Sequence, residues 1–86
     1  MANKFSLEVV TPEEIFYKDE VDMVIFRTTE GDRAVLKNHI PFVAGIKDGI
    51  LKIKIDGKFT EADIKEGFVN VSKDKTVILT QYAEWK

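Results

Sequence analysis

The stretch TTEGDRAVLKNHIP, from Thr28 to Pro41, holds the side chains in this chain best suited to chemistry. It contains the one histidine, His39, and it sets Gly31 between Glu30 and Asp32. An imidazole acts as a catalytic base when it faces a serine or cysteine nucleophile and is itself oriented by a third group. The chain has no cysteine. Ser6 and Ser72 lie in or beside strand-like segments, without the glycines of a nucleophile elbow. His39 therefore reads as a loop residue that hydrogen-bonds backbone beside Pro41, or as part of an interface. A small hydrolase built on His39 is the enzymatic alternative, and it would lose its activity on His39→Ala.

Acidic residues gather at two places. Asp19, Glu20 and Asp22 cluster, and Glu30 and Asp32 flank Gly31. Neither group has the spacing of a calcium loop, which needs alternating ligands, a central glycine and a terminal glutamate. The cluster before Val21 reads as a solvated turn, with a weak surface cation site as the alternative. The glycines at 31, 45, 49, 57 and 67 are scattered one per segment, so no phosphate-cradling loop is formed. The sequence thus gives no catalytic residue, no cofactor site and no metal site. Surface is what remains to carry function.

Composition agrees with that reading. With 86 residues, 44% of them apolar and 33% charged, the chain is sized for one small soluble domain. A net charge of −2, with lysines interleaved among acids, argues against nucleic acid as a partner. The segment MANKFSLEVV has no apolar core of the signal-peptide kind. No apolar run approaches the roughly 20 residues a membrane-spanning helix needs.

The elements that must position these residues follow a period of two. Phe5, Leu7 and Val9 alternate with Lys4, Ser6 and Glu8. Leu51, Ile53 and Ile55 alternate with Lys52 and Lys54, and Asp56-Gly57 then signals a two-residue hairpin turn. EVDMVIFRT reads as one strand with Val21, Met23 and Ile25 on one face and Asp22, Val24 and Phe26 on the other. GFVNVS and KTVILTQY read as two more strands, joined by a polar turn from Ser72 to Lys75. Thr11-Pro12-Glu13-Glu14 has the letters of a helix capping box, but IFYKDE after it is too short and too aromatic for a helix. It suits one turn and then a strand from Glu14 to Lys18. AEWK at the end is the one place where helical character is expected. Short strands with frequent turns predict an antiparallel sandwich or barrel. On a single-core sandwich, Val10, Val24, Phe26, Val43, Ile78, Tyr82 and Trp85 are expected on outward faces. That much outward apolar surface favours a binding module over an enzyme.

Two longer segments carry a resemblance that covers nearly the whole chain. LEVVTPEEIFYKDEVDMVIFRTTEGDRAVLKNHIPFVAGIKDGILKIK, and then GFVNVSKDKTVILTQYAE, resemble the epsilon subunit of rotary F-type ATP synthases, called delta in plant mitochondria. The family pattern runs V-[ST]-P-E, then [ST]-E-G-[ED]-x-G-[IV]-L-x-x-H-x-P, then G-G-F near the end. The chain departs from it at Ala34 and Glu66, where the family has glycine, and at Lys37, where it has proline. Loss of the glycine at Ala34 raises the expectation of altered loop geometry.

The resemblance implies an all-β fold: a small two-sheet antiparallel sandwich of about ten short strands, one domain over residues 1–86. It implies a non-catalytic central-stalk subunit that links gamma to the membrane c-ring and couples ion flow to ATP synthesis. Such a subunit belongs to a hetero-oligomer on the cytoplasmic side of the bacterial membrane, peripheral and not inserted. Glu30, Gly31 and Asp32 correspond to the c-ring side, and Asn38, His39 and Pro41 to the gamma side. The family continues into a two-helix C-terminal domain, which in bacteria inhibits hydrolysis and in some species binds ATP. On this resemblance that domain is expected to be missing from residues 1–86, which should then neither inhibit nor bind ATP by that route. The alternative reading is a free-standing sandwich that binds a ligand or another protein. A ligand site would need a concave aromatic surface, and Trp85, Tyr17 and Tyr82 are far apart in sequence.

Overall fold

Alternation becomes burial strand by strand. A computed structural model describes residues 4–86. In β1 (Phe5–Val10), Phe5, Leu7 and Val9 are buried and the residues between them are half-exposed. In β6 (Gly49–Ile55), Leu51 and Ile53 are buried while Ile50 and Lys52 face water. The other strands are β2 (Ile15–Val21), β3 (Met23–Thr28), β4 (Gly31–Val35), β5 (Phe42–Ile46), β7 (Lys58–Ile64), β8 (Gly67–Val71), β9 (Lys75–Thr80) and β10 (Ala83–Trp85). All regular structure among the described residues is strand.

Hydrogen bonding runs in the order β10-β7-β6-β3-β5-β8-β9-β1-β2, with β4 on the side of β3. One residue pair, Thr28 with Ile46, joins β3 to β5. The sheet folds over at that narrow junction. It forms one layer of β10, β7, β6, β3 and β4 and a second of β5, β8, β9, β1 and β2. The core fills the gap between them. Leu7, Val9, Val21, Val69, Val71 and Ile78 come from the second layer, and Val24, Phe26, Val35, Leu51, Ile53 and Ile64 from the first. Each such side chain contributes about 1.5–3 kcal/mol by leaving water.

Several expectations need correction. Val24, Phe26 and Ile78, expected on outward faces, are fully buried. The segment around Asp22 is two strands, not one, and the bend between β2 and β3 shifts the alternation by one residue. Val21 and Val24 both point inward, while Met23 and Ile25 are half-buried. The strand expected from Glu14 to Lys18 runs from Ile15 to Val21. AEWK is not helical: Ala83–Trp85 pair antiparallel with β7. The sandwich is not wholly antiparallel either, because β1 and β9 run parallel from Ser6 with Lys75 to Val10 with Leu79.

Other expectations stand. Asp56 and Gly57 both have positive φ, 52° and 82°, as the two-residue hairpin between β6 and β7 demands. Thr11 Oγ1 accepts the Glu14 N–H at 3.3 Å, the bond of a helix cap, but only bends come after it. Ala34 lies in β4 opposite Ile25, outside the left-handed region, so glycine is not required there. Glu66 also lacks a positive φ.

Asp22 fixes the corner between β2 and β3. Its backbone N–H donates to the Lys54 carbonyl at 2.8 Å, and its carboxylate accepts the Asp56 N–H at 2.7 Å. Lys4 Nζ donates to Asp22 at 3.2 Å and to Asp56 at 2.9 Å. The Asp56 backbone bond, followed by Lys4, holds the Asp22 carboxyl below the ordinary carboxylate range. A depressed folded pKa gives stability that is present above the unfolded value and is lost as pH falls through the folded one. Asp22→Asn should therefore flatten the decline in melting temperature below about pH 4. An unchanged acid limb, measured by thermal melts at successive pH values, would remove Asp22 from that account.

Candidate functional site

The two groups of residues singled out in the sequence sit at opposite ends of one strand. The β3–β4 hairpin turns at Thr29 and Glu30, with Thr28 paired to Gly31. Gly31 has φ 115°, the left-handed step that comes after such a turn and that glycine takes without strain. The buried Thr28 hydroxyl ties the tip together, donating to the Gly31 carbonyl at 2.7 Å and accepting the Glu30 N–H at 3.1 Å. At the far end of β4 the chain turns again. Asn38 has φ 65°, and the His39 N–H closes the turn on the Leu36 carbonyl at 3.2 Å. An extended strand rises about 3.3 Å per residue, so β4 separates the two turns by roughly 15 Å.

The acidic tip is not symmetric. Arg27 Nε donates to Asp32 Oδ1 at 3.1 Å, and both side chains are exposed. Asp32 is thus largely compensated. Glu30 takes no side-chain partner among the described residues, so it carries the unbalanced charge of the tip.

The other turn is built around an aromatic ring. His39 Nδ1 lies 2.9 Å from the Ile40 carbonyl. A carbonyl only accepts, so Nδ1 carries the proton and Nε2 is left as the acceptor in the neutral ring. The imidazole packs against Phe42 with ring centroids 5.3 Å apart, and the Arg33 guanidinium covers the same ring at 4.4 Å. Pro41 is exposed beside it. The expectation that His39 is a loop residue bonded to backbone beside Pro41 agrees with this geometry. Neither Ser6 nor Ser72 is bonded to the imidazole: Ser72 Oγ donates to the Lys75 carbonyl in its own turn.

The outer face of the second layer carries a third feature, which sequence patterning shows only in part. Strand registers align Gly45, Phe68, Leu79, Val10 and Ile15 in one row across β5, β8, β9, β1 and β2. Phe68, Leu79 and Ile15 are exposed. Val43 and Val77 lie in the next row, opposite Asn70. An open groove of about 630 Å³ runs along this row, lined by Val10, Pro12, Gly45, Phe68 and Leu79 among others. Among the residues expected outward, Val10 and Val43 belong here. Phe68 and Leu79 were missed because alignment across strands depends on which strands pair, and composition does not encode that.

Trp85 and Tyr17, distant in sequence, are brought together. Trp85 stacks on Phe16 at 4.6 Å and meets Tyr17 edge-on at 5.6 Å. Trp85 thus packs on both rings between β2 and β10, so they fill space instead of lining a concave site. Burial, with help from Asp19, pushes the Tyr17 phenol up from its ordinary range.

Comparison with known proteins bears on the fold as a whole. A family model described as "ATP synthase, Delta/Epsilon chain, beta-sandwich domain" matches residues 4–86. The chain is 52% identical over 85 residues to the ATP synthase epsilon chain of Alkaliphilus oremlandii, covering 99% of this chain and 63% of that one. It is 39% identical over 83 residues to the ATP synthase epsilon chain of Staphylococcus aureus, covering 95% of this chain and 62% of the relative. The chain therefore spans a little under two thirds of these relatives. Among solved structures, a chain of the Euglena gracilis mitochondrial ATP synthase OSCP/F1/c-ring assembly superposes with a TM-score of 0.91 at 26% identity, covering 99% of this chain and 55% of that one. A chain of the Tetrahymena thermophila mitochondrial ATP synthase central stalk and c-ring shares the fold, with a TM-score of 0.78 at 15% identity, covering 95% of this chain and 66% of that one.

Proposed function

This chain belongs to the ATP synthase delta/epsilon β-sandwich family, and from that membership we propose that it is a non-catalytic rotor component. In this reading it links the gamma subunit to the c-ring of an F-type ATP synthase and helps couple ion flow to ATP synthesis. It does so peripherally, on the cytoplasmic side of the bacterial membrane. The observation that carries the reading is the match of fold and sequence over nearly all of the chain.

The geometry suits a coupling piece. Contacts at the two ends of a stiff hairpin transmit torque between different neighbours, whereas an active site would gather its groups at one place. Glu30, Gly31 and Asp32 form the c-ring end, and Asn38, His39 and Pro41 the gamma end. The apolar row through Phe68 and Leu79 supplies the affinity that rim charges do not. The free-standing ligand-binding alternative has no comparable support, since the groove is open and the aromatic rings are packed together.

The test uses the assembled complex. Glu30→Lys should weaken seating on the c-ring about tenfold at low salt, and the difference should fade at high salt. Asp32→Asn should do less, because Arg27 already compensates that charge. The readout is the ratio of ion pumping to ATP hydrolysis in reconstituted vesicles. A ratio unchanged by Glu30→Lys, with the subunit still folded, removes the tip from the c-ring contact. A folded domain that does not associate with gamma removes the whole reading.

A further inference from the structure

The dipeptide Asp-Gly occurs twice, as Asp48-Gly49 and Asp56-Gly57. It has a covalent chemistry of its own. A glycine carries no Cβ, so its amide nitrogen can approach Cγ of the aspartate before it. A C–N bond forms to Cγ, and one carboxyl oxygen leaves as water with the carboxyl proton and the amide proton. The product is a five-membered succinimide, which water then opens. Breaking the new C–N bond restores aspartate. Breaking the old one leaves a carboxylate on Cα and carries the chain through Cγ, which is an isoaspartyl link. No atom is gained or lost overall.

The fold treats the two pairs differently. Both aspartates are exposed, so access to water does not separate them. Gly49 lies in the β6–β7 ladder opposite Ile64, and a Cβ there would sit 3.3 Å from Arg27 Cβ. Gly57 is at the hairpin tip, where a Cβ would meet nothing within 4 Å. Its N–H takes no backbone partner among the described residues. Ring closure must swing the main chain between the two residues. The ladder opposes that at Gly49, and the open tip permits it at Gly57. The restraint on the tip comes from the aspartate side. Lys4 Nζ holds Asp56 Oδ1 at 2.9 Å, and the Asp22 carboxylate accepts the Asp56 N–H at 2.7 Å. A carboxylate held against an ammonium is a poor electrophile, and it must leave that partner before Cγ can turn toward Gly57.

We propose that Asp56-Gly57 is a site of spontaneous covalent modification, isomerising through a succinimide to isoaspartate, and that Lys4 sets its rate. Asp48-Gly49 is spared while the chain is folded. The isoaspartyl link adds one atom to the main chain of a two-residue turn and shifts the carboxylate to Cα. That undoes the clamp between the hairpin tip and the corner at Asp22. The new carboxylate is the group that an isoaspartate-directed methyltransferase would take as substrate.

The experiment incubates the purified 86-residue chain for weeks at neutral pH. Its peptides are then mapped by electron-transfer fragmentation, which tells isoaspartate from aspartate. In the folded chain isoaspartate should build up about tenfold faster at Asp56 than at Asp48, a ratio that a modest difference in restraint produces. In urea, where neither restraint survives, the two rates should agree within about twofold. Lys4→Met should raise the rate at Asp56 roughly fivefold and leave Asp48 unchanged, as loss of one charged hydrogen bond would. Lys4→Arg keeps the cation and should stay near the parent. Equal rates at the two pairs in the folded chain overturn the proposal. So does an Asp56 that stays intact when folded and isomerises in urea. An Asp56 rate that Lys4→Met leaves unchanged overturns the role of Lys4. A rise at both pairs in that variant does the same, because it traces the effect to unfolding.

Discussion

Gly67→Ala should destabilise this domain by about 3 kcal/mol or more, lowering the melting temperature by on the order of 12–24 °C. A Cβ built at Gly67 would lie 1.8 Å from the Leu79 carbonyl oxygen and 2.8 Å from Thr80 Cα. Both are backbone atoms of the paired strand β9, so no rotamer change relieves the contact. β8 and β9 must move apart, and they hold Val69, Val71 and Ile78 in the core. A domain of this size is typically stable by about 4–13 kcal/mol, so the substitution removes a large share. Gly45→Ala is the control. Its Cβ would meet only Thr29 Cγ2, at 3.5 Å, and the melting temperature should barely move. If the two substitutions melt alike, the close packing of β8 on β9 is wrong. The result also bears on the G-G-F pattern of the family. The chain has lost the first glycine, at Glu66, where the backbone does not need one, and it keeps the second, where there is no room for a side chain.

Phe26→Ala should cost about 3–5 kcal/mol, among the largest single truncation costs in the core. Phe26 is 1% exposed and faces the opposite layer from β3. The alternation read through Asp22 places it outward instead, where truncation would cost less than about 0.5 kcal/mol. Urea unfolding with a shared slope separates the two. A small change in midpoint would return Phe26 to the surface and Met23 to the core. Val43→Ala, on the exposed outer row, should stay within about 0.5 kcal/mol and gives the scale for a truly outward valine.

These two residues show what was legible in the sequence and what was not. Local rules reported local facts well. Period-two burial in β1 and β6 was plain, and so was the Asp56-Gly57 turn, because both depend on neighbouring residues alone. The corner at Asp22 was not visible, because its bend is stabilised by Lys54, Asp56 and Lys4 from elsewhere in the chain. One unforeseen bend reversed the parity of the strand after it, which misplaced Val24 and Phe26 together. β10 was misread for a similar reason. Three residues are too few to show a period, and their strand character comes from pairing with β7. For the candidate surfaces, residue types located Glu30, Asp32 and His39, but their placement at opposite ends of β4 is a matter of topology. The apolar row through Phe68 and Leu79 needed the registers of five strands at once.

The parallel pairing of β1 with β9 has a consequence for how the chain is made. Ser6 pairs with Lys75, so the partners are 75 − 6 = 69 residues apart. At a synthesis rate of about 5–20 residues per second, β1 waits roughly 3–14 s before its partner exists. The β6–β7 hairpin and the β3–β4 hairpin are local and can close within microseconds of emerging. Until then β1 has β2 as its one paired neighbour. The layer that holds it is completed among the last events of folding. The strand that waits longest for its second neighbour is, in the finished sandwich, among the best buried.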